Sequence, residues 1–442
     1  MMRRMLGRLA RRPQEALLLA ALDGVLLVGA VLLAHWLRFN PADRAVHLAR
    51  LAEHPGLSLV GLVGLWVVAT AAELYQSPPL LPGERALRVA FAALAWGVVL
   101  VLATYLVPEW KFGRGLLLAT TASWGLGAFA LRSALDHHRQ QREKPPAWLV
   151  GEGEELGPLL HLGQNPACPW RLLPVSPQAL EKPEGTEEPA VVFVVDPRRL
   201  PGLVGLHFAG VPVVPAWELW ALVEGRLPVD LLAPETFLYQ REFVGIHWEV
   251  FNRTTRVVDV VVAALLLVLA SPLLLLAGLG SWLLQGTPVF YRQVRLGQFG
   301  RPFVLWKLRT MHRRAELNGP EFCREDDPRV TPLGRLLRRL RVDELPQLYN
   351  VLVGDMSLVG PRPERPEFVR QLAEQIPYYS FRLAVPPGLT GWAQVNMPYA
   401  RTVEEHRRKL EYDLYFIRER SLSLYLMVLL RTVSAALFGV RR

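Results

Sequence analysis

Cysteine is nearly absent. Cys168 and Cys323 are the only two in 442 residues and lie far apart, so no disulfide framework or cysteine metal cluster is available, which suits a reducing compartment. Acidic residues are also in deficit, 40 Asp+Glu against 50 Lys+Arg, and the resulting charge of +10 points to acidic partners: nucleotides, phosphates or anionic lipid headgroups. Nucleic acid is not expected among them, because no zinc-finger, RNA-binding or helix-turn-helix signature accompanies the charge. No small-residue cleavage site follows the first apolar run, so the N-terminus reads as a retained membrane anchor and not a signal peptide.

What the chain has in abundance is apolar surface, with 51% hydrophobic residues, and much of it is arranged in long runs. Four stretches in the first third, Ala16–Leu37, Leu57–Tyr75, Leu87–Val107 and Gly115–Leu135, are each long enough to cross a bilayer. Arg3, Arg4, Arg8, Arg11 and Arg12 precede the first; Arg132, Arg139, Arg142 and Lys144 border or follow the last. The positive-inside bias then places both ends of a four-helix transmembrane bundle (residues 1–144) in the cytoplasm. Asp23 within the first span reads as a helix-packing group paired inside the bundle, with a functional intramembrane acid as the alternative.

Near Pro145 the composition becomes that of a soluble domain. AWLVGEGEELG reads as a strand entering a glycine turn and helix, and VVFVVDP and VPVVPAW read as two more buried parallel strands. Residues 145–245 are therefore expected to form a small Rossmann-like α/β layer. Its glycines, Gly151, Gly153 and Gly157, are one residue too widely spaced for the dinucleotide fingerprint, and Asp196 lies too far along for a ribose-holding acid. A structural or regulatory role outweighs an NAD site. A membrane-anchored NAD-dependent nucleotide-sugar epimerase or oxidoreductase is the competing function.

The third region, residues 246–442, opens on a further apolar segment, Val257–Leu284, interrupted by Ser271-Pro272. Arg241, Arg253 and Arg256 stand before it, and Arg292, Arg295, Arg301, Lys307, Arg309, Arg313 and Arg314 after it. With both flanks basic, a crossing helix would put one on the disfavoured side, whereas a re-entrant hairpin over 255–285, broken at Ser271 and Pro272, satisfies both. The last apolar stretch, Leu422–Val440, carries Arg431 at its centre and reads as packed on this region or lying in the interface.

RVDELPQLYNVLVGDMSLVGPRP places Asp343 and Glu344 between basic segments. Upstream, LGRLLRRLR sets Leu333, Leu336, Leu337 and Leu340 on one helical face with arginines around it, which fits an anionic membrane surface or a core-packed helix. Neighbouring positive charge favours ionised carboxylates. An ionised carboxylate attacks phosphorus or holds a magnesium ion that bridges phosphate oxygens. Adjacent residues of a helix point about 100° apart, so the two acids are suited to different tasks. The Gly360-Pro361-Arg362-Pro363 corner, with Lys307 and Arg309 in FVLWKLRTM, adds rigidly presented cations for oxyanions.

SPLLLLAGL, PVFYRQVRLGQFGRPFVLWKLRTM, RVDELPQLYNVLVGDMSLVGPRP, PGLTGWAQVN and KLEYDLYFIRERSL, in this order, resemble the bacterial sugar transferase family, the polyprenyl-phosphate hexose-1-phosphate transferases that start exopolysaccharide and O-antigen synthesis. The likeness runs from about Phe251 to the C-terminus, and the four spans with a degenerate Rossmann-like domain resemble the long, undecaprenyl-phosphate galactose or glucose members. It implies a mainly α catalytic domain on the cytoplasmic face of the bacterial inner membrane. It implies that Asp343 attacks the sugar-bearing phosphate of a UDP-sugar, that UMP leaves, and that undecaprenyl phosphate then takes the phosphosugar from the aspartyl intermediate. Glu344 would coordinate Mg²⁺, with Lys307, Arg309, Arg338 and Arg362 around the phosphates and Asp413 near the site. Trp392, Gln394 and Asn396 either touch nucleotide or sugar or hold their loop. Where many members continue this loop with glycine, here Asn396 is followed by Met397 and Pro398, and Arg401 is the next arginine. The partners expected are UDP-sugar, undecaprenyl phosphate, the lipid bilayer and a second copy of the chain as a homodimer.

Overall fold

The computed structural model describes residues 13–53, 55–72, 74–75, 84–107, 113–140, 144–153, 156–165, 168–177, 187–196, 203–239, 247–313, 315 and 327–438. The arginines from Arg3 to Arg12, together with Arg142, Arg241, Arg314 and Cys323, lie outside the described residues. Two compact units divide between Gly225 and Arg226. Among the described residues three helical segments are long and apolar enough to cross a membrane: Leu17–Arg38, Arg88–Leu106 and Phe251–Gln285.

The first unit begins with α1 (Pro13–Arg38), α2 (Pro41–Glu53), α3 (Pro55–Ala71), α4 (Glu84–Leu106) and α5 (Arg114–Gln140). All four predicted apolar stretches are helical, but α3 is shorter than a full span and α5 is not among the segments apolar enough to cross. Trp96 of α4 and Trp124 of α5 are fully buried and meet edge to face with centroids 5.7 Å apart. Asp23 of α1 is also fully buried. Both of its oxygens are taken by Arg132 of α5, at 3.0 and 2.7 Å, and the Tyr75 hydroxyl donates to one of them at 2.7 Å. An ionised group in an apolar bundle is retained when it is paired in this way.

Continuing in the same unit are β1 (Pro146–Val150), α6 (Leu156–Gly163), β2 (Arg171–Val175), β3 (Val191–Val194), α7 (Leu203–Phe208), β4 (Val213–Pro215) and α8 (Trp217–Val223). The four strands form one parallel sheet in the order β2-β1-β3-β4. The runs WLV and VVFV are buried on both faces, which is why they read as continuous apolar stretches and not as alternating ones. At Gly151 an added Cβ would strike Leu156 and Val195, so protein side chains already occupy the space beside the glycine turn.

The second unit takes in α9 (Pro234–Tyr239) with the segment before it: the Leu227 amide donates to the Glu411 carbonyl at 3.1 Å, and the Phe237 ring meets Tyr378 and Phe381 in tilted contacts. Then follow α10 (His247–Gln285), β5 (Phe290–Leu296), β6 (Pro302–Leu308), α11 (Pro332–Arg339), α12 (Gln347–Val353), β7 (Ser357–Val359), α13 (Pro366–Gln375), β8 (Gly388–Thr390), α14 (Trp392–Asn396), α15 (Val403–Arg418) and α16 (Leu422–Phe438). Helix α10 is helical throughout its 39 residues, Pro272 included, and the Ser271 hydroxyl donates to the Val268 carbonyl at 2.8 Å. Its first turns and its last third both pack on the unit. Asp259 accepts from the Leu358 amide at 2.7 Å, while Leu274 and Ala277 pack with Leu308, Leu337 and Val342. Between these anchors Val261, Leu265, Val268 and Leu269 are exposed.

The amphipathic face expected in Leu333–Leu340 divides in two. Leu333 and Leu337 join the core against α10, whereas Leu336 and Leu340 stay exposed beside the exposed Arg335 and Arg339. The mid-helix Arg431 is packed on this unit: it donates to Asn396 Oδ1 at 2.9 Å and lies over the Trp392 ring at 5.1 Å.

Candidate active site

Three segments converge on the acid pair. Val342, Asp343 and Glu344 form a single 3-10 turn entered through Arg341, whose φ of 57° is left-handed. A non-glycine residue in that region stores backbone strain, which persists only where surrounding packing imposes it. Here the packing is Val342, 3% exposed, inserted among Ala277, Leu308 and Leu337. Burying Val342 turns Asp343 inward as well, to 6% exposure.

The second segment is the β5–β6 hairpin, an antiparallel ladder that sets Lys307 opposite Tyr291. Asn350 of α12 fastens this hairpin to the helix that follows the acid pair. Its amide nitrogen donates to the Val304 carbonyl at 2.8 Å, and its oxygen accepts from the Trp306 amide at 3.2 Å. Lys307 Nζ thereby reaches Glu344 Oε1 at 3.1 Å.

The third segment is the Gly-Pro-Arg-Pro corner after β7. It is clasped to the PGLTG loop around β8 by reciprocal backbone bonds, Gly360 amide to Thr390 carbonyl and Gly388 amide to Pro361 carbonyl, both 2.9 Å. A Cβ at Gly360 or Gly388 would collide with the facing main chain, so only glycine permits the approach. The clasp aims Arg362 at Glu344 Oε1, 2.5 Å away.

Electrostatics separates the two acids. For Glu344, burial pushes the carboxyl up, but Arg362 and Lys307 overcome it and hold the group far below the usual carboxylate range. For Asp343, burial dominates and the adjacent Glu344 adds to it, so its carboxyl is raised despite Lys307, Arg338 and Arg362. The sequence expectation that nearby cations favour ionisation of both acids therefore holds for Glu344 and reverses for Asp343, because desolvation was not visible in the residue string. Two neighbouring carboxyls with pKa values driven apart suit a division into a charge-holding group and a reacting group.

Of the other predicted residues, Arg338 is brought in from α11, its Nε donating to Thr310 Oγ1 at 2.9 Å. Arg309 is committed elsewhere. Its guanidinium, 7% exposed, donates to the carbonyls of Gln285, Gly286 and Thr287 and ties down the end of α10. Asp413 stands one layer behind, accepting from Arg382 at 2.8 Å, and Arg382 in turn donates to the Arg362 carbonyl at 3.1 Å. Asn396 uses both ends of its amide on Arg431 and the Trp392 carbonyl, which is the loop-holding alternative. Gln394 donates weakly to the Leu389 carbonyl, and its amide oxygen is buried without a hydrogen-bond partner. Arg401 is exposed, next to the helix cap that Thr402 and Glu405 form for α15.

Sequence reasoning missed the support behind Arg362: Glu364 accepts from Lys409 and Tyr379 and pairs with Arg382 at 2.9 Å. KLEYDLY carried a signal, since Lys409 and Asp413 are one helical turn apart and share a face.

Among the described residues no group of three His, Cys, Asp or Glu side chains is placed to hold a metal ion. Two adjacent carboxyls are nevertheless a sufficient protein share for magnesium, which keeps several waters and takes further oxygens from phosphates. Glu344 Oε2 suits that use, because Oε1 accepts both cations while Oε2 lies 3.8 Å from Arg341, beyond hydrogen-bond distance.

The family model described as bacterial sugar transferase matches residues 250–439. The chain is 33% identical over 307 residues to the UDP-N-acetylgalactosamine-undecaprenyl-phosphate N-acetylgalactosaminephosphotransferase of Aeromonas hydrophila, covering 68% of this chain and 69% of that one. It is 47% identical over 214 residues to the UDP-glucose:undecaprenyl-phosphate glucose-1-phosphate transferase of Caulobacter vibrioides, covering 48% and 79%. With the protein of the same description from Escherichia coli K12 it shares 41% over 223 residues, about half of each chain. The acid pair, its cations and the glycine clasp all lie within the matched segment, and the chain belongs to the bacterial sugar transferase family.

Proposed function

We propose that the chain transfers a sugar-1-phosphate from a UDP-sugar to undecaprenyl phosphate, as the initiating step of exopolysaccharide, O-antigen or capsule synthesis. An Asp343 oxygen attacks the sugar-bearing phosphorus, the bond from that phosphorus to the UMP oxygen breaks, and UMP leaves. An oxygen of undecaprenyl phosphate then attacks the same phosphorus, releasing Asp343 and forming the lipid diphosphosugar. The observation that carries this reading is the split pair: Asp343 buried and raised, Glu344 locked as an anion by Lys307 and Arg362.

A desolvated carboxylate is a stronger nucleophile than a hydrated one, and surrounding cations stabilise charge that develops on transferred phosphorus. Lys307, Arg338 and Arg362 outnumber the acids they face, and the excess suits an incoming diphosphate. Glu344 would hold Mg²⁺, whose charge would help neutralise the transferred phosphate. The names of the relatives support both substrates. Purified protein with Mg²⁺, undecaprenyl phosphate and a panel of UDP-sugars should release UMP with at least one donor. No release across the panel removes the reading, and release that survives magnesium chelation removes the metal.

The membrane arrangement we propose places the acid pair on the cytoplasmic face of the inner membrane, with four N-terminal helices in the bilayer and α10 re-entering the same leaflet. Re-entry is supported by the packing of both ends of α10 on one unit, with the exposed apolar residues between them. A cysteine reporter at Gln298 should react only from the cytoplasmic side; labelling from outside removes re-entry. The parallel sheet is taken as a degenerate Rossmann-like domain with a structural or regulatory role, supported by the occupied space beside Gly151, and NAD(H) binding to the full chain would count against it. The assembly we propose is a homodimer, and a single-copy mass in lipid nanodiscs would remove that part.

A further inference from the structure

The β5–β6 hairpin brings more than Lys307 to the site. Side chains alternate across a strand, so Tyr291, Gln293 and Arg295 of β5 share the face of Lys307, which stands opposite Tyr291. These three are half-buried, whereas Phe290, Arg292 and Val294 on the other face are exposed. The inward residues are joined in a row. Arg295 Nη2 donates to Gln293 Oε1, and Gln293 Nε2 donates to the Tyr291 hydroxyl at 3.0 Å. The Arg295 end of the row is fixed to the Arg362 corner: Arg295 Nη1 donates to the Pro363 carbonyl at 3.3 Å, and the neighbouring Leu296 amide donates to the Glu364 carbonyl at 3.0 Å.

Positive charge around Arg295 is in excess. Among the described residues no carboxylate pairs with it; its two acceptors are the neutral oxygens of Gln293 and Pro363. Glu364 acts on it from further off, but that acid already accepts from Lys409 and Tyr379 and pairs with Arg382. Arg362 and Arg365 add like charge beside it. Burial and that repulsion pull the Arg295 pKa down to about 10, although Tyr399 and Glu364 oppose the fall. Its Nε–H is buried without a hydrogen-bond partner. A guanidinium held in place by neutral groups, with donors unused and other arginines nearby, is arranged for an anion.

The chemistry of the transfer says which anion. Attacking and leaving oxygens stand in line through the transferred phosphorus. Asp343 enters opposite UMP, so undecaprenyl phosphate, entering opposite Asp343, takes the position that UMP has left. One phosphate position is thus used twice, and it calls for a cation whose charge is not spent on the acid pair. Lys307 and Arg362 both donate to Glu344 Oε1. Arg295 shares the face of the first and adjoins the second, yet donates to neither acid.

We propose that Arg295 is the cation of this shared phosphate subsite, binding the phosphate of UMP in the first half of the reaction and that of undecaprenyl phosphate in the second, with Gln293 holding its guanidinium on the Lys307 face. The inference rests on the transfer reading above. It gives one planar fork to two substrates that have little in common besides a phosphate.

The test uses the full chain in neutral detergent with Mg²⁺, titrated with UMP, uridine and a short-chain polyprenyl phosphate. Arg295→Gln should weaken binding of UMP and of the polyprenyl phosphate by about tenfold or more, and Arg295→Lys should recover part of both. Uridine, which lacks the phosphate, should not distinguish the variants from the unaltered chain. In steady state Arg295→Gln should lower kcat/KM for the UDP-sugar and for undecaprenyl phosphate by similar factors. If Arg295 only ties the hairpin to the Arg362 corner, Arg295→Gln lowers the unfolding midpoint and leaves the preference for UMP over uridine unchanged, which overturns the proposal. Weakening of one phosphate ligand alone overturns the sharing. Should Arg295→Gln fail to fold, Arg295→Lys decides, since it keeps the charge without the fork: unchanged affinity for both ligands overturns the proposal. The two readings fail separately. No UMP release by the unaltered chain removes the transfer reading and the subsite with it, whereas UMP release by the unaltered chain with undiminished ligand binding in Arg295→Gln removes the subsite alone.

Discussion

Two buried carboxylate sites in this molecule follow opposite designs. In the N-terminal unit Asp23 meets one arginine, Arg132, through two parallel bonds, with Tyr75 closing the remaining approach. One negative charge meets one positive charge, and little is left over for a ligand. In the C-terminal unit Asp343 and Glu344 face Lys307, Arg338, Arg341 and Arg362, so positive charge is in surplus and Asp343 is left with a raised pKa. A balanced pair holds helices together, whereas an unbalanced one is arranged for a partner that arrives later.

The contrast is sharpest if each acid is replaced by its neutral isostere. Asp343→Asn should lower UMP release by about 10³-fold or more, roughly 4 kcal/mol of barrier, with unchanged thermal unfolding. A variant with most of its turnover intact would break the comparison. Asp23→Asn should do the reverse. Removing one partner of a buried pair costs about 3 kcal/mol of stability, so the unfolding midpoint should fall while turnover per folded molecule holds. Loss of turnover without loss of stability would give Asp23 a working role.

Smaller changes refine the picture. Arg362→Lys keeps the charge but not the fork geometry and should reduce kcat/KM by about 10²-fold, read in the same assay. Acidity provides a graded probe: since burial and Glu344 raise the Asp343 pKa, activity should decline on acidification at a pH above the ordinary carboxylate range. An acid limb at or below that range would contradict the raised value. The smallest effect belongs to His406, whose folded pKa is lowered to about 4 by burial, from 6.5. Between those values the unfolded chain binds the extra proton, so stability should rise with pH through that window, and His406→Gln should flatten the rise in denaturant titrations at pH 4 to 7.

Legibility in the sequence follows range. The acid pair, Lys307 and Arg362 were legible because the motifs are local and their spacing carries chemistry, whereas Arg338 entered only through the family resemblance. The apolar stretches were legible as helices for the same reason; α3 falls short of a full span once its 17-residue limits are known, whereas the 27-residue α5 is long enough but is not among the segments apolar enough to cross. Arg309 shows how the reading fails. It sits two residues after Lys307, which on a continuing strand would put both on one face, but β6 ends at Leu308 and Arg309 turns to the carbonyls ending α10. The network of Glu364, Arg382, Lys409 and Asp413 joins residues up to 49 positions apart, from Glu364 to Asp413, and no local pattern announces such pairings. The elevation of Asp343 was equally hidden, since burial belongs to the fold and not to the neighbouring letters.

The clasp between Gly360 and the loop around β8 sets terms for any library that varies this loop. Main chain rests on main chain there, so a library that varies 360 or 388 would consist largely of misfolded members whatever else it contained. Ten residues after Gly388 the chain reaches Pro398 and Tyr399, which are exposed and free of that constraint. Diversity placed at those two positions, with the glycines kept, leaves intact the clasp that aims Arg362.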